Sequence, residues 1–218
     1  MIDKMKIKKY FAIFFMCCIL AVPAVFFSGC SERPGQPEEV VGLVNQIAPA
    51  GLTEEQRDII DLLSATQDIL LFDFKTEEEY RSIEVWVDIF EYGVLVEQGS
   101  GISMFGAQRR PLDGQIAVVI NRDDSFRSFQ WTFIISEDGT RVSSSVSDPV
   151  TVSHMSAHNS GPLPAPANIQ DGAAIMLYVS KFSDDGIRLS GDFQRYFEQP
   201  ELLAEYPRLH IVQARFSR

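Results

Sequence analysis

The sequence predicts a mainly β fold: an antiparallel immunoglobulin-like β-sandwich preceded by one amphipathic helix. Three observations lead there. Past Asp68, apolar side chains recur at a period of two in run after run, as half-buried strands require. Asp-Gly pairs, which suit chain reversal, fall between those runs. Strand patterns do not alternate with helical ones, so the βαβ units of a parallel sheet are missing. Regular strand spacing favours a sandwich over a barrel, although periodicity alone does not separate the two.

The elements follow in order. Residues 31–37, Ser-Glu-Arg-Pro-Gly-Gln-Pro, have the composition of a flexible tether, and the whole tether is taken as 30–50. Inside it Val40, Val41, Val44 and Ile47 recur near helical spacing behind Pro37, which predicts a short helix weakened by Gly42. The domain is taken as 51–218. It begins with Leu52-Thr53-Glu54-Glu55-Gln56, where Thr53 can cap free backbone N–H groups while Gln56 reaches back, and the two acids suit the positive helix end. Ile59, Ile60 and Leu63 then form one apolar stripe, giving a helix over about 53–67. Leu70, Phe72 and Phe74 alternate next, followed by Ile83, Val85, Val87 and Ile89. Further strands are predicted at about 93–104, 115–122, 127–137, 140–147, 173–182 and 208–217. Asp113-Gly114, Asp138-Gly139 and Asp184-Asp185-Gly186 supply turns, and Asp138-Gly139 is the strongest hairpin signal. A short helix near Pro200–Tyr206 is expected, opened by Pro200 and stopped by Pro207. Residues 154–170, rich in Ser, Pro, Asn and Ala, read as a long exposed loop.

The amino terminus has a different character. Lys4, Lys6, Lys8 and Lys9 precede an uncharged run from Phe11 to Gly29, a basic region followed by a hydrophobic one. The run is long enough to be weighed as a retained transmembrane helix, but Pro23 interrupts it and Ser28-Gly29 place small side chains before Cys30. Phe27-Ser28-Gly29-Cys30 resembles the lipobox of bacterial lipoprotein signal peptides, with Phe27 where Leu is commoner. The resemblance covers residues 1–30. It implies a signal peptide over 1–29, cleavage before Cys30, and a diacylglycerol thioether on that cysteine with fatty acyl chains of the palmitate kind. Such a protein would sit on the extracytoplasmic face of the cell membrane, its partner the membrane itself. Two or more chains anchor durably where one holds only marginally. The remainder resembles the small uncharacterised lipoproteins of Gram-positive bacteria in general make-up, and no motif carries that likeness to an activity.

The formal net charge is −11, and loss of the first 29 residues makes the remainder more acidic still. Phosphate backbones would repel such a chain, and Arg109-Arg110 is too small a basic face to reverse that, so no nucleic-acid partner is expected. Cys17 and Cys18 lie in the hydrophobic run and leave with it. With Cys30 committed to lipid, the domain has no disulfide, thiol nucleophile or cysteine zinc site, and the fold must stand on its core.

Candidate chemistry is sparse. His154 and His158 stand four apart, the spacing that presents two imidazoles to one metal on a helix, but their neighbours are not helix formers and no Glu stands between them. Two loop histidines is the simpler reading. His210 shares a strand face with Val212, Ala214 and Phe216, as a core-edge histidine would. Ser143-Ser144-Ser145 has no nucleophile elbow around it, and Gly99-Ser100-Gly101 lacks the third glycine of a phosphate loop. The acidic clusters Glu77-Glu78-Glu79, Asp123-Asp124 and Asp184-Asp185 lack a calcium-loop ladder. No cofactor is expected.

The far face of the strand at 83–89 carries Glu84, Trp86, Asp88, Phe90 and Tyr92, mixing aromatics with carboxylates. Open, it would dock a sugar polymer or peptide, because rings give rigid contact area and carboxylates accept hydroxyl hydrogen bonds. The expectation is that the 53–67 helix covers it, since an exposed Trp and Phe would be sticky. The function expected is therefore a non-catalytic binding or structural accessory of the cell envelope, meeting an envelope protein or polysaccharide. The rival is an envelope hydrolase or metal-binding protein using the 154–170 loop. A transporter's solute-binding component, with two α/β lobes, does not fit.

Overall fold

The computed structural model describes residues 44–64, 67–122, 128–149, 157–183 and 197–218. The expected signal peptide over 1–29, Cys30, most of the expected tether, His154 and the expected turn at 184–186 lie outside the described residues. In chain order the elements are β1 (Gln46–Pro49), α1 (Glu54–Leu63), β2 (Gln67–Lys75), β3 (Tyr80–Glu91), β4 (Val94–Arg110), β5 (Asp113–Arg122) and β6 (Ser128–Glu137). Then come β7 (Thr140–Pro149), β8 (Ala157–Pro162), β9 (Ala167–Asn168), β10 (Ala174–Ser183), a 3-10 turn (Pro200–Glu205) and β11 (Arg208–Ser217).

Two antiparallel sheets pack face to face, with the helix α1 inserted between β1 and β2. The first has the order β7-β6-β5-β2-β1-β9 and the second β4-β3-β11-β10-β8. Period-two patterning drives the packing. Phe72 and Phe74 of β2, Ile116, Val118 and Ile120 of β5, and Phe129, Trp131, Phe133 and Ile135 of β6 all point inward. Ile83, Val85 and Val87 of β3 meet them from the second sheet, with Val212, Ala214 and Phe216 of β11, in one continuous core. Each such side chain stabilises the fold by roughly 1.5–3 kcal/mol when fully buried. Phe216 fixes the centre of one end, edge-on to both Phe74 and Tyr80.

Two hairpins show how turn chemistry sets register. Asp138 and Gly139 both have positive φ, 48° and 74°, the conformation a two-residue turn between twisted strands needs. Tyr92 and Gly93 repeat this at 49° and 76°, so Tyr92 is a turn residue rather than part of the strand face expected to carry it.

Three further expectations are corrected. Residues 46–49 are a strand, not the end of a helix: Ile47 pairs with Phe74 and is wholly buried, whereas Val44 is exposed, so the helical spacing has no helical face behind it. The 154–170 segment is not one loop, because β8 pairs with β10 and β9 with β1. Both are outermost strands of their sheets, and an edge strand tolerates Pro, Gly and polar residues that hide the alternating pattern. Third, α1 is no lid. Its capping box forms as expected, with Gln56 N–H donating to Thr53 Oγ1 at 3.2 Å and Thr53 N–H to Gln56 Oε1 at 2.9 Å. Yet it buries no residue, and Ile59 and Leu63 of the apolar stripe stay 60% and 52% exposed.

Candidate functional site

The outer face of the second sheet is built from β3, β11 and β10. Register places Glu84 opposite Arg215, Trp86 opposite Gln213, Asp88 opposite Ile211 and Phe90 opposite Leu209. On the other flank Trp86 faces Gly101 of β4. The two ends of this face are treated differently. Around Phe90 the chain covers itself: Phe197, Leu202 and Tyr206 pack on Val179, Leu209 and Ile211, so the segment around the 3-10 turn does what α1 was expected to do.

Around Trp86 the face opens into a cavity of about 620 Å³ whose lining includes Glu84, Trp86, Asp88, Gln213 and Arg215. Glycine lets β4 approach this face closely. A Cβ on Gly101 would fall 2.6 Å from the Trp86 Cα and 2.1 Å from the Val85 carbonyl oxygen, and one on Gly99 would press on the indole at 3.3 Å. Arg215 lies 5.1 Å from the Trp86 ring centre in a cation–π contact and ion-pairs with Glu84, its Nε donating at 3.0 Å. Asp88 sits at the floor, 7% exposed. Its Oδ2 accepts from Trp86 Nε1 at 3.0 Å and Gln213 Nε2 at 2.6 Å, while its Oδ1 is buried with no hydrogen-bond partner. A buried carboxylate oxygen without a donor is costly, about 1–3 kcal/mol or more.

Of the sequence-predicted docking residues, the structure brings together Glu84, Trp86 and Asp88, puts Phe90 under the 197–206 cover, and leaves Tyr92 apart in its turn. Gln213, Arg215, Gly99 and Gly101 complete the site. Strand patterning on β3 alone does not reveal them, since cross-strand register decides which residues meet. The available signal was a pair of alternate glycines in a strand, which marks close approach of another group.

A second polar cluster lies inside the sandwich. His210, wholly buried, places Nε2 3.0 Å from Asp148 Oδ2, and Arg208 donates to both Asp148 oxygens at 3.1 and 2.9 Å. The contact to the carboxylate puts the proton on His210 Nε2, so the 3.4 Å approach of Arg208 Nε to that nitrogen contributes little. Arg208 also donates to Glu91 at 2.6 Å. Burial lowers the His210 pKa below its ordinary range, against the opposing pull of Asp148. Asp148 is pushed up by burial, but hydrogen bonds from His210 and Arg208 outweigh this and hold its carboxyl below the usual range. His158 Nε2 lies 2.7 Å from Ser180 Oγ, and burial, then Arg122 and His210, push its pKa down to about 4. Phe129 and Phe182 pack edge-on against the His210 ring. The described member of the predicted histidine pair is thus held in a strand beside a wholly buried serine. Among the described residues no group of three or more His, Cys, Asp or Glu is placed to hold a metal ion, and no helix is long and apolar enough to cross a membrane.

Fold and site define a two-sheet antiparallel β protein with a polar groove on one outer face. The chain belongs to the YgaN domain family, whose model matches residues 46–207, from the first residue of β1 to the residue before β11. Neither the curated proteins nor the solved structures give a match to it.

Proposed function

We propose that this protein is a non-catalytic binding accessory of the cell envelope, held on the extracytoplasmic face of the membrane by lipid on Cys30, whose ligand is polyhydroxylated and binds at Trp86. The observation that carries the binding reading is Asp88 Oδ1, a buried acceptor without a donor at the floor of an open cavity. A ligand hydroxyl would satisfy it, and the Arg215 guanidinium and Glu84 carboxylate offer a donor and an acceptor beside the indole, the mixture a sugar ring uses. Arg215 over the ring disfavours a cationic ligand there. The scaffold we take as immunoglobulin-like, because the chain crosses between sheets at β2–β3 and β4–β5 as Greek-key sandwiches do. The lipid placement rests on the Phe27-Ser28-Gly29-Cys30 pattern behind its basic and apolar regions.

Two experiments test this. Titration with soluble oligosaccharides (maltohexaose, cellohexaose, chitotetraose) followed by tryptophan fluorescence should give saturable binding that Asp88→Asn weakens at least about tenfold, the loss of one hydrogen bond to a charged group. No saturable change with any of the three, in protein shown to be folded, refutes the site. For the anchor, cells fed an alkyne fatty acid should label the wild type and not Cys30→Ala; label on neither, with residues 1–29 still attached by mass spectrometry, refutes the placement.

A further inference from the structure

The polar cavity does not end at Gln213. It shares Ala174 and Gln213 with a second cavity of about 680 Å³, lined by Phe90, Met176, Ile211 and Phe197 and bounded by Pro164 and Pro166. Register explains the continuity: Gln213 of β11 is opposite Met176 of β10, so one step across the sheet replaces amides and carboxylates by thioether and hydrocarbon. Resting on the proposed binding site, we infer that the ligand is an amphiphile, a glycolipid whose polyhydroxylated head lies on Trp86 and Asp88 and whose aliphatic chain runs over Gln213 into the apolar cavity. Asn168, Gln170 and Glu198 also line this cavity, but hydroxyls laid on Phe90, Met176 and Ile211 would gain nothing there, whereas a hydrocarbon chain removes both its own surface and theirs from water. The chain's own Phe197 already packs beside this cavity on Ile211, which shows that the face accepts hydrocarbon where it is covered.

Alkyl glucosides below their micelle concentrations separate the possibilities. Binding of methyl, butyl, hexyl and octyl glucoside to the soluble domain should tighten by about fourfold for each methylene that enters the cavity. Met176→Asp should flatten that dependence, and Asp88→Asn should weaken every member alike. Equal affinity for methyl and octyl glucoside would overturn the amphiphile while leaving the polar site standing. Octyl glucoside binding that Asp88→Asn does not touch would overturn the head's placement, and with it both readings. No binding by any glucoside or by the oligosaccharides would refute both as well.

Discussion

Acidification from pH 7.5 to 5.0 should destabilise this protein through the histidines its sandwich buries. Burial, first of all, lowers the pKa of His210, and His158 falls from 6.5 to about 4. The groups facing them are Asp148, Arg208, Arg122 and Ser180, together with the rings of Phe129 and Phe182. Both folded-state pKa values lie below the unfolded value, so the unfolded chain takes up protons first. Stability is then complete above about pH 6.5 and is lost as the pH falls toward the folded values. For His158, with a folded value of about 4, the loss is at most about 1.4 kcal/mol per pH unit, which over the interval from 6.5 to 5.0 gives about 2 kcal/mol. His158 lies on an edge strand and keeps some hydration, so about 1.5 kcal/mol is expected from it, and His210 adds to the loss in the same direction. Against a total of about 5–15 kcal/mol this is a large fraction. Urea unfolding followed by tryptophan fluorescence reads it directly: with an m-value of about 2 kcal/mol/M, the midpoint should drop by about 0.7 M from His158 alone, and further with His210. His158→Gln should remove part of the drop. Equal midpoints at the two pH values would refute the claim that these imidazoles are held neutral.

The buried ion pair predicts a larger effect from one atom's change. Asp148→Asn leaves Arg208 enclosed with only the half-exposed Glu91 opposite it, so stability should fall by about 3–5 kcal/mol, and the double change with Arg208→Met should recover much of that in the same urea assay. Gly101→Ala must push β4 away from Trp86 and should cost about 1–3 kcal/mol with a shift in indole emission; an unshifted spectrum at full stability would show the strands are not that close. Thr53→Ala removes the capping box, locally worth about 1 kcal/mol, but α1 buries nothing. Amide exchange in residues 54–63 should therefore quicken while the global midpoint stays put.

Much of the fold was legible because its core strands obey one rule throughout. In β6 every second residue is buried, in β5 Ile116, Val118 and Ile120 are, and β11 was expected at 208–217, the span it occupies. Where pairing departs from that rule, legibility fails. β4 was expected to end near 104 but runs to Arg110, and its register against β3 shifts at Tyr80/Ser82, Val87/Ile89 and Ile89/Phe90, which breaks the phase of side chains along it. β8 and β9 hide for another reason. Ala-His-Asn-Ser-Gly-Pro is held by backbone bonds to β10 and presents almost no large apolar side chain, so nothing in its pattern marks a strand. The capping box of α1 was equally plain, and misleading about packing: an apolar stripe says which face could be buried, not that a partner surface exists for it.

The candidate site was half legible for a related reason. Period two puts Glu84, Trp86 and Asp88 on one face, but whether that face is covered depends on a segment more than a hundred residues further on. Phe197, Leu202 and Tyr206 reach the Phe90 end and are not among the residues around Trp86. At the Phe90 end the outer residues are hydrocarbon, partly covered by the chain's own Phe197, Leu202 and Tyr206 and partly lining the apolar cavity. At the uncovered end a carboxylate is sunk below its neighbours with one oxygen unpaired, although the adjacent inner positions, Val85, Val87 and Ile89, show that this strand can bury aliphatic residues. Gly101 lets β4 lie close against the β3 backbone at the same spot, and Gly99 leaves the indole uncrowded. Considered for stability alone, the sunken carboxylate with its unpaired oxygen loses free energy. Together these residues leave one shaped, polar recess beside an apolar one, and a molecule bringing a hydroxyl to Asp88 and hydrocarbon to Met176 would offset that loss and cover the apolar surface.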